Sequence, residues 1–251
     1  MAVTTEHKFI DTYLIKRESK YLIIGTIHPH RTDDFEVNFF YGNKNTLWSI
    51  LSEAFPSRDF SSEKKILETL NNSLTSVTDL IRKCDRENEK VTKDKDLYNL
   101  CMNTNAIREG IENSSITTIF LTSGFGKNNA AKLFVEIFKI RYKDTLSDTK
   151  KSFIIPKDVF GREINAIILL SPSGDALRGI AGSPSYKKKR HLYANEKTPV
   201  KQFRIDFSNI IPSHNFNRRI PNNYLLTAGD MIIIDLWGTI NKNYELEFNN
   251  E

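Results

Sequence analysis

The stretch Tyr21 to Leu51, YLIIGTIHPHRTDDFEVNFFYGNKNTLWSIL, decides how this chain is read. Tyr21 to Ile24 is a short apolar run that predicts a strand, and Gly25 breaks it into a loop holding His28, Pro29 and His30. A second loop, Phe39-Phe40-Tyr41-Gly42-Asn43-Lys44-Asn45, runs straight into an amphipathic helix expected over Thr46 to Phe55. A buried strand whose carboxyl end opens into a polar, aromatic loop is where parallel α/β sheets place ligands. Three aromatic rings beside two asparagines and a lysine suit a flat, hydrogen-bonding ligand next to a phosphate. The inventory is nucleotide-shaped.

Working outward, Phe9 to Ile15 is expected to form a helix leading into the first strand. Beyond Phe55, Ser62 or Ser61 caps a helical pattern with Ile66, Leu67 and Leu70 on one face. The run from Arg82 to Asp96 is almost wholly charged and of mixed sign, and reads as a solvated loop or helix face. Asp96 to Glu112 reads as a helix with Leu97, Leu100, Cys101 and Ile107 inward. Ile116 to Leu121 is a β-branched strand, which Thr122 to Gly126 turns into a helix over Asn128 to Tyr142. Lys143 to Ser152 is a polar surface connection.

Asn165 to Leu170, the most apolar strand, is expected to be central, and it ends in Ser171-Pro172-Ser173-Gly174-Asp175-Ala176-Leu177-Arg178-Gly179. If this strand runs parallel to Tyr21–Ile24, their loops share one sheet edge. Tyr186 to Leu192 is basic and helical in pattern, and from Pro199 the pattern weakens. Met231 to Leu236 and Tyr244 to Phe248 flank Asn241-Lys242-Asn243 as an expected β-hairpin. Strands alternating with helices make the expected fold class α/β, a three-layer α/β/α sandwich around a central, mainly parallel sheet. Residues 1–207 form the domain and residues 208–251 a C-terminal extension.

Composition narrows the function classes. The chain has 251 residues, 39% of them hydrophobic and 27% charged, enough for one large α/β core. A net charge of +5 permits a polyanionic partner without demanding one. Cys84 and Cys101 are the only cysteines, which excludes a disulfide framework and a four-cysteine iron–sulfur cluster. Five scattered histidines give no zinc spacing. The first twenty residues contain no apolar targeting core and no run approaches a membrane span, so a cytoplasmic protein without metal or cofactor is expected.

The same residues carry a family resemblance. GTIHP followed by FFYGNKNTLW, Gly25 to Trp48, resembles the first motif region of the uracil-DNA glycosylase superfamily. It is nearest the mismatch-specific and deoxyinosine glycosylase branch, whose pattern is GTF-N-P followed by FYG-x-x-N-x-FW. TSVTDLIRKCDR, Thr75 to Arg86, resembles a G-x-T-D/N-L-x-x-R segment of those branches, and SPSGDALRGI, Ser171 to Ile180, resembles the superfamily's second motif. TIFLTSGFGKNNAAKLF resembles its strand-turn-helix, whose helix start is able to hold a phosphate. The matches run in family order from Tyr21 to Phe207. No counterpart is identified after Phe207.

The resemblance implies a monofunctional DNA glycosylase acting on a nucleotide flipped from double-stranded DNA. On the matched positions, His28 or Asn45 positions the water, although His28 stands where relatives carry Asn or Asp. Phe40 or Tyr41 stacks on the base, and Asp79 takes the polar base-reading position. Ser171 and Ser173 meet the departing base, and Ser171 replaces the usual His or Asn. Gly174 lies in the loop pressed into the minor groove, and Leu177 or Arg178 is the wedge. Lys187, Lys188 and Arg190 suit phosphate backbone. Each position also has a plainer reading: His28 as a core or loop histidine, Phe39, Phe40 and Tyr41 as core, Asn45 as a helix N-cap, Ser76 or Thr78 capping a helix whose start Asp79 favours, Ser-Pro-Ser-Gly as turn chemistry, and the basic run as a solvated face. A monomer, cytoplasmic and nucleoid-associated, is expected. A non-catalytic DNA-binding relative and an unrelated nucleotide-binding α/β enzyme are the alternatives.

Overall fold

The computed structural model describes residues 1–44, 46–56, 58–147, 151–174 and 176–208. The chain opens with strand β1 (Val3–Glu6), a turn through Phe9 to Tyr13, and strand β2 (Tyr21–Gly25). Helices α1 (Leu47–Ala54) and α2 (Glu63–Asn72) lead into β3 (Thr75–Asp79), followed by β4 (Ile81–Arg86) and β5 (Tyr98–Met102). Then come α3 (Thr104–Glu112), β6 (Thr118–Leu121), α4 (Ala130–Ile137), β7 (Ser152–Ile155), α5 (Lys157–Phe160) and β8 (Ile164–Ile168). Short helices α6 (Ala176–Gly182) and α7 (Pro184–Lys189) precede α8 (Pro199–Ser208). Among the described residues no helix is long and apolar enough to cross a membrane.

The main sheet has the order β3-β2-β6-β8-β7, parallel except for β7. Strands β2, β3 and β6 are buried along their whole length and β8 at all but Asn165, which is why YLIIG and AII read as continuous apolar runs rather than alternating ones. Alternation sorts them nonetheless. Leu22, Ile24, Ile119 and Leu121 pack with Ile107 of α3, Phe134 of α4 and Phe160 of α5. Tyr21, Ile23, Phe120 and Ile167 face the other way, onto Trp48 and Leu51 of α1, Ile66 of α2 and Ile205 of α8. Helices therefore cover both faces of a mixed, mostly parallel sheet, as the α/β expectation requires.

A second, antiparallel sheet β1-β4-β5 departs from expectation. The charged run from Arg82 is a strand, because Ile81, Cys84 and Arg86 turn inward while its outward charges find partners across the sheet and nearby. Lys83 bonds Glu6 at 2.8 Å, and Arg82 grips Asp11 at 2.8 and 2.9 Å. The single helix expected over Asp96 to Glu112 is split into β5 and α3, the break falling at Asn103, whose N–H donates to the Leu80 carbonyl at 2.7 Å. The expected Phe9–Ile15 helix is a turn, since Phe9 and Ile10 are drawn into the aromatic core instead. Thr75 to Asp79 is a buried strand, so no helix is capped by Ser76 or Thr78. Strand β7 and helix α8 lie where no element was expected, and the expected helix over Asn128 to Tyr142 shortens to α4. The hairpin expected over Met231 to Phe248 lies outside the described residues.

Candidate active site

Taken in chain order, the parallel strands sit second, first, third, fourth, so the winding reverses between β2 and β6. In doubly wound sheets the ligand crevice opens at the carboxyl ends of that strand pair. Gly25 ends β2 there, and Thr122 follows β6. Tyr41 arches over both from the loop before α1, its backbone at φ 54°, and its hydroxyl donates to Thr122 Oγ1 at 3.1 Å. A Cβ on Gly25 would overlap the Tyr41 hydroxyl and Asp79 Oδ1 together, so only glycine lets both converge on this strand end. Burial holds the Tyr41 phenol well above its ordinary pKa, with the charges of Asp79 and Asp94 adding to the effect.

Asp79 lies beside Gly25 in the β2–β3 register and is 4% exposed. Its Oδ2 meets His7 Nε2 at 2.7 Å. His7 Nδ1 accepts from the Phe9 N–H at 3.1 Å, so Nε2 carries the donated proton. Asp79 Oδ1 is buried without any hydrogen-bond partner. Such an acceptor is costly to leave unmet and marks a place for an incoming donor.

A second carboxylate arrives from the β4–β5 connection. Asp94 opens a 3-10 turn, Asp94–Asp96, and its Oδ1 accepts from Thr26 Oγ1 at 3.0 Å. Asn128 staples that turn, its Nδ2 donating to the carbonyls of Asp94 and Leu97 at 2.9 Å each. Burial pushes the Asp94 carboxyl up to about 6, the nearby Asp79 adding to the rise while the Thr26 bond and Arg86 oppose it. Arg86 is 1% exposed and braces the loop above β2: Nε donates to Thr5 Oγ1 at 2.9 Å, Nη1 to the Val91 carbonyl at 2.6 Å, and Nη2 to the His28 carbonyl at 2.8 Å.

The expected site residues divide sharply. Tyr41 and Asp79 are brought together. His28 is not a free water ligand: Nδ1 donates to the Pro29 carbonyl at 2.6 Å and Nε2 accepts from the Lys8 N–H at 3.1 Å. Burial lowers its pKa to about 4, so it is a neutral histidine joining two backbone segments. Phe40 is 1% exposed and packed among His7, Phe9 and Phe39, which makes it core rather than a stacking platform. Asn45 lies outside the described residues. The start of α4 does not form the expected phosphate cradle, because Ser123 Oγ accepts from the Ala130 N–H at 2.8 Å and the Ser123 carbonyl from Ala131 at 3.0 Å.

Ser171, Pro172 and Ser173 follow β8 on the same edge, two strand spacings from β2, or roughly 10 Å. Arg204 of α8 pins this loop by donating to the carbonyls of Pro172 and Ser173 at 3.4 and 2.9 Å. Ser173 and Gly174 are exposed and Ser171 is half-buried. Leu177 packs partly against the cluster of Leu170, Ile180, Tyr193 and Phe203, whereas Arg178 is exposed on the same helix. Lys187 and Lys188 on α7, and Arg190 just beyond it, are exposed as well. Sequence reasoning missed His7, Asp94 and Arg204, which stand in no quoted motif, and also Arg86 and Thr122, which lie inside quoted motifs without having been singled out.

A hollow of about 330 Å³ beside Gly42, Asn43, Trp48 and Phe60 shares none of these strand-end residues. Among the described residues no group of three or more His, Cys, Asp or Glu is arranged to hold a metal ion. No protein-family model, curated protein or solved structure matches the chain.

Proposed function

We propose that this chain is a monofunctional DNA glycosylase with a uracil-DNA glycosylase-like fold. It flips a uracil, a hypoxanthine or a modified cytosine from double-stranded DNA and hydrolyses the N-glycosidic bond, in repair or in defence against phage with modified DNA. It acts as a cytoplasmic, nucleoid-associated monomer. The observation that carries the reading is the unpartnered Asp79 oxygen beside Tyr41 at the switch point, on the same edge as the serine loop and its basic flank. A buried acceptor suits a base edge, and an exposed basic turn suits phosphate.

In this reading the flipped base lies against Tyr41, at a cost of a few kcal/mol in unstacking. The C1′–N bond breaks through an oxocarbenium-like sugar, and the charge left on the base is met by Asn45 and by the Ser171 and Ser173 hydroxyls. Asp79 Oδ1 accepts from an exocyclic amino group, whereas a carbonyl at that place would cost about 1–3 kcal/mol. That favours a cytosine-type base over uracil, and a modified one, since unmodified cytosine is the bulk of the genome's own.

One observation favours a second reading, a non-catalytic relative that binds DNA at a modified base: both ring nitrogens of His28 are committed to backbone. Trapping of abasic aldehydes on duplexes carrying each base, beside a binding titration, separates the two. Abasic sites on at least one duplex are expected. Binding without any abasic product would establish the second reading instead.

A further inference from the structure

We propose that Asp94 is the general base of this site, holding and deprotonating the water that attacks the sugar. The inference rests on the glycosylase reading and supplies the base that reading lacks, because His28 has no free nitrogen to hold a water and the amide of Asn45 can orient a water but not deprotonate it.

The carboxylate comes from a part of the chain remote from the loop it serves. Thr26, two residues before His28, bonds one oxygen of Asp94 and thereby aims the carboxyl at the end of β2. Asn128 fixes the backbone of the same turn from the loop after β6. Asp94 is half-buried, and its Oδ2 makes no hydrogen bond among the described residues. The groups around it come from several elements: Asp79 from β3, Tyr41 from the loop before α1, Arg86 and Cys84 from β4. The second observation at this place is Asp79 Oδ1, buried, unpartnered and converging with Tyr41 over Gly25. One carboxylate has a shut-in oxygen without a partner; the other is half-buried and keeps one oxygen free of hydrogen bonds among the described residues. That pairing separates a base-reading group from a water-activating one.

The step balances without a co-reactant. The water oxygen forms the bond to C1′, one water proton passes to Asp94, and the C1′–N electron pair leaves with the base. The base anion takes a proton from solvent, and Asp94 releases its own to solvent. A carboxyl that titrates near 6 is ionised at neutral pH yet still basic enough to accept the proton.

Single-turnover base release on the duplex that the wild type cleaves best tests this. Asp94→Asn should lower the rate at least about 100-fold, leave DNA affinity within a few fold, and not lower the melting temperature. Added formate should restore part of the rate to Asp94→Ala. In the wild type the rate should rise with pH through about 6 and then level. Thr26→Val should move that limb to higher pH, because the lost hydroxyl stabilised the charged carboxylate. Wild-type rates in Asp94→Asn, or a limb unmoved in Thr26→Val, would overturn the assignment of Asp94 and leave the glycosylase reading standing. No base release by the wild type from any duplex would overturn both.

Discussion

The two polar regions along the carboxyl edge of the sheet are built in opposite ways. At the switch point, side chains from β1, β3, β4 and four loops lock one another and nearby carbonyls at 2.6–3.1 Å, with His7, Asp79, Arg86 and Thr122 buried and Thr26, Tyr41 and Asp94 half-buried. In the Ser171–Ser173 loop the hydroxyl contacts are local and long, at 3.4 and 3.5 Å, and the basic side chains beyond it reach into solvent. A rigid, dry cluster discriminates between ligands through the cost of unmet polar groups, whereas an exposed basic surface binds any phosphate chain alike. On the proposed glycosylase reading, the first region would carry selection and chemistry and the second would hold the DNA.

The contrast breaks most visibly in stability. Arg86→Ala leaves Thr5 Oγ1 and the carbonyls of Val91 and His28 without their donor, at about 1–3 kcal/mol for each unmet group. A loss of at least about 3 kcal/mol is expected in urea unfolding, against under about 0.5 kcal/mol for Arg178→Ala on the open side. Gly25→Ala forces Tyr41 and Asp79 apart and should cost about 1–3 kcal/mol together with base release. Gly174→Ala has nothing within 4 Å to meet and should leave the melting temperature almost unmoved.

The pH dependence of stability sharpens the picture of the closed region. His28 is lowered to about 4, so the unfolded chain binds the extra proton below its ordinary pKa of about 6.5, and stability falls as pH drops from about 6.5 to about 4. Asp94 is raised to about 6, so the folded chain holds a proton the unfolded chain has lost, and stability falls as pH rises from about 4 to about 6. The two effects oppose each other, each on the order of 3 kcal/mol. Asp94→Asn removes one of them. The variant should be more stable than the wild type at pH 7 and should weaken more steeply on acidification; thermal melts at pH 5 and pH 7 read both.

The smallest stability effect belongs to the open region. Replacing Lys187, Lys188 and Arg190 with Ala should change folding by under about 0.5 kcal/mol. It should weaken binding to all DNA sequences equally and flatten the salt dependence by about 0.9 per lost phosphate contact. An unchanged slope would mean that these charges only face solvent.

The main sheet was legible because its strands are apolar runs ended by Gly25, Thr122 and Ser171, and buried parallel strands need little else to declare themselves. The antiparallel sheet was not. Its pattern is hidden by outward charges whose partners lie more than 70 residues away, as in Lys83 with Glu6 and Arg82 with Asp11. The motifs singled out Tyr41 and Asp79, and the fold brings these two side chains together over Gly25. For His28 and Phe40 the motif left function and core both open, because the sequence does not show that the His28 nitrogens are bonded to backbone or that Phe40 is packed away from solvent. Asp94 sits in a charged run, where only the fold distinguishes it from its solvated neighbours.

The claim that Asp79 reads the base at the switch point is tested most directly by mass spectrometry of free bases released from duplexes with uracil, hypoxanthine or a modified cytosine. Wild type and Asp79→Asn are compared under single-turnover conditions. An amide at this place both accepts and donates, and it retains an acceptor for His7. The account predicts release of at least one base by the wild type and a shift of preference towards uracil in Asp79→Asn. Equal uracil release before and after the substitution would contradict it.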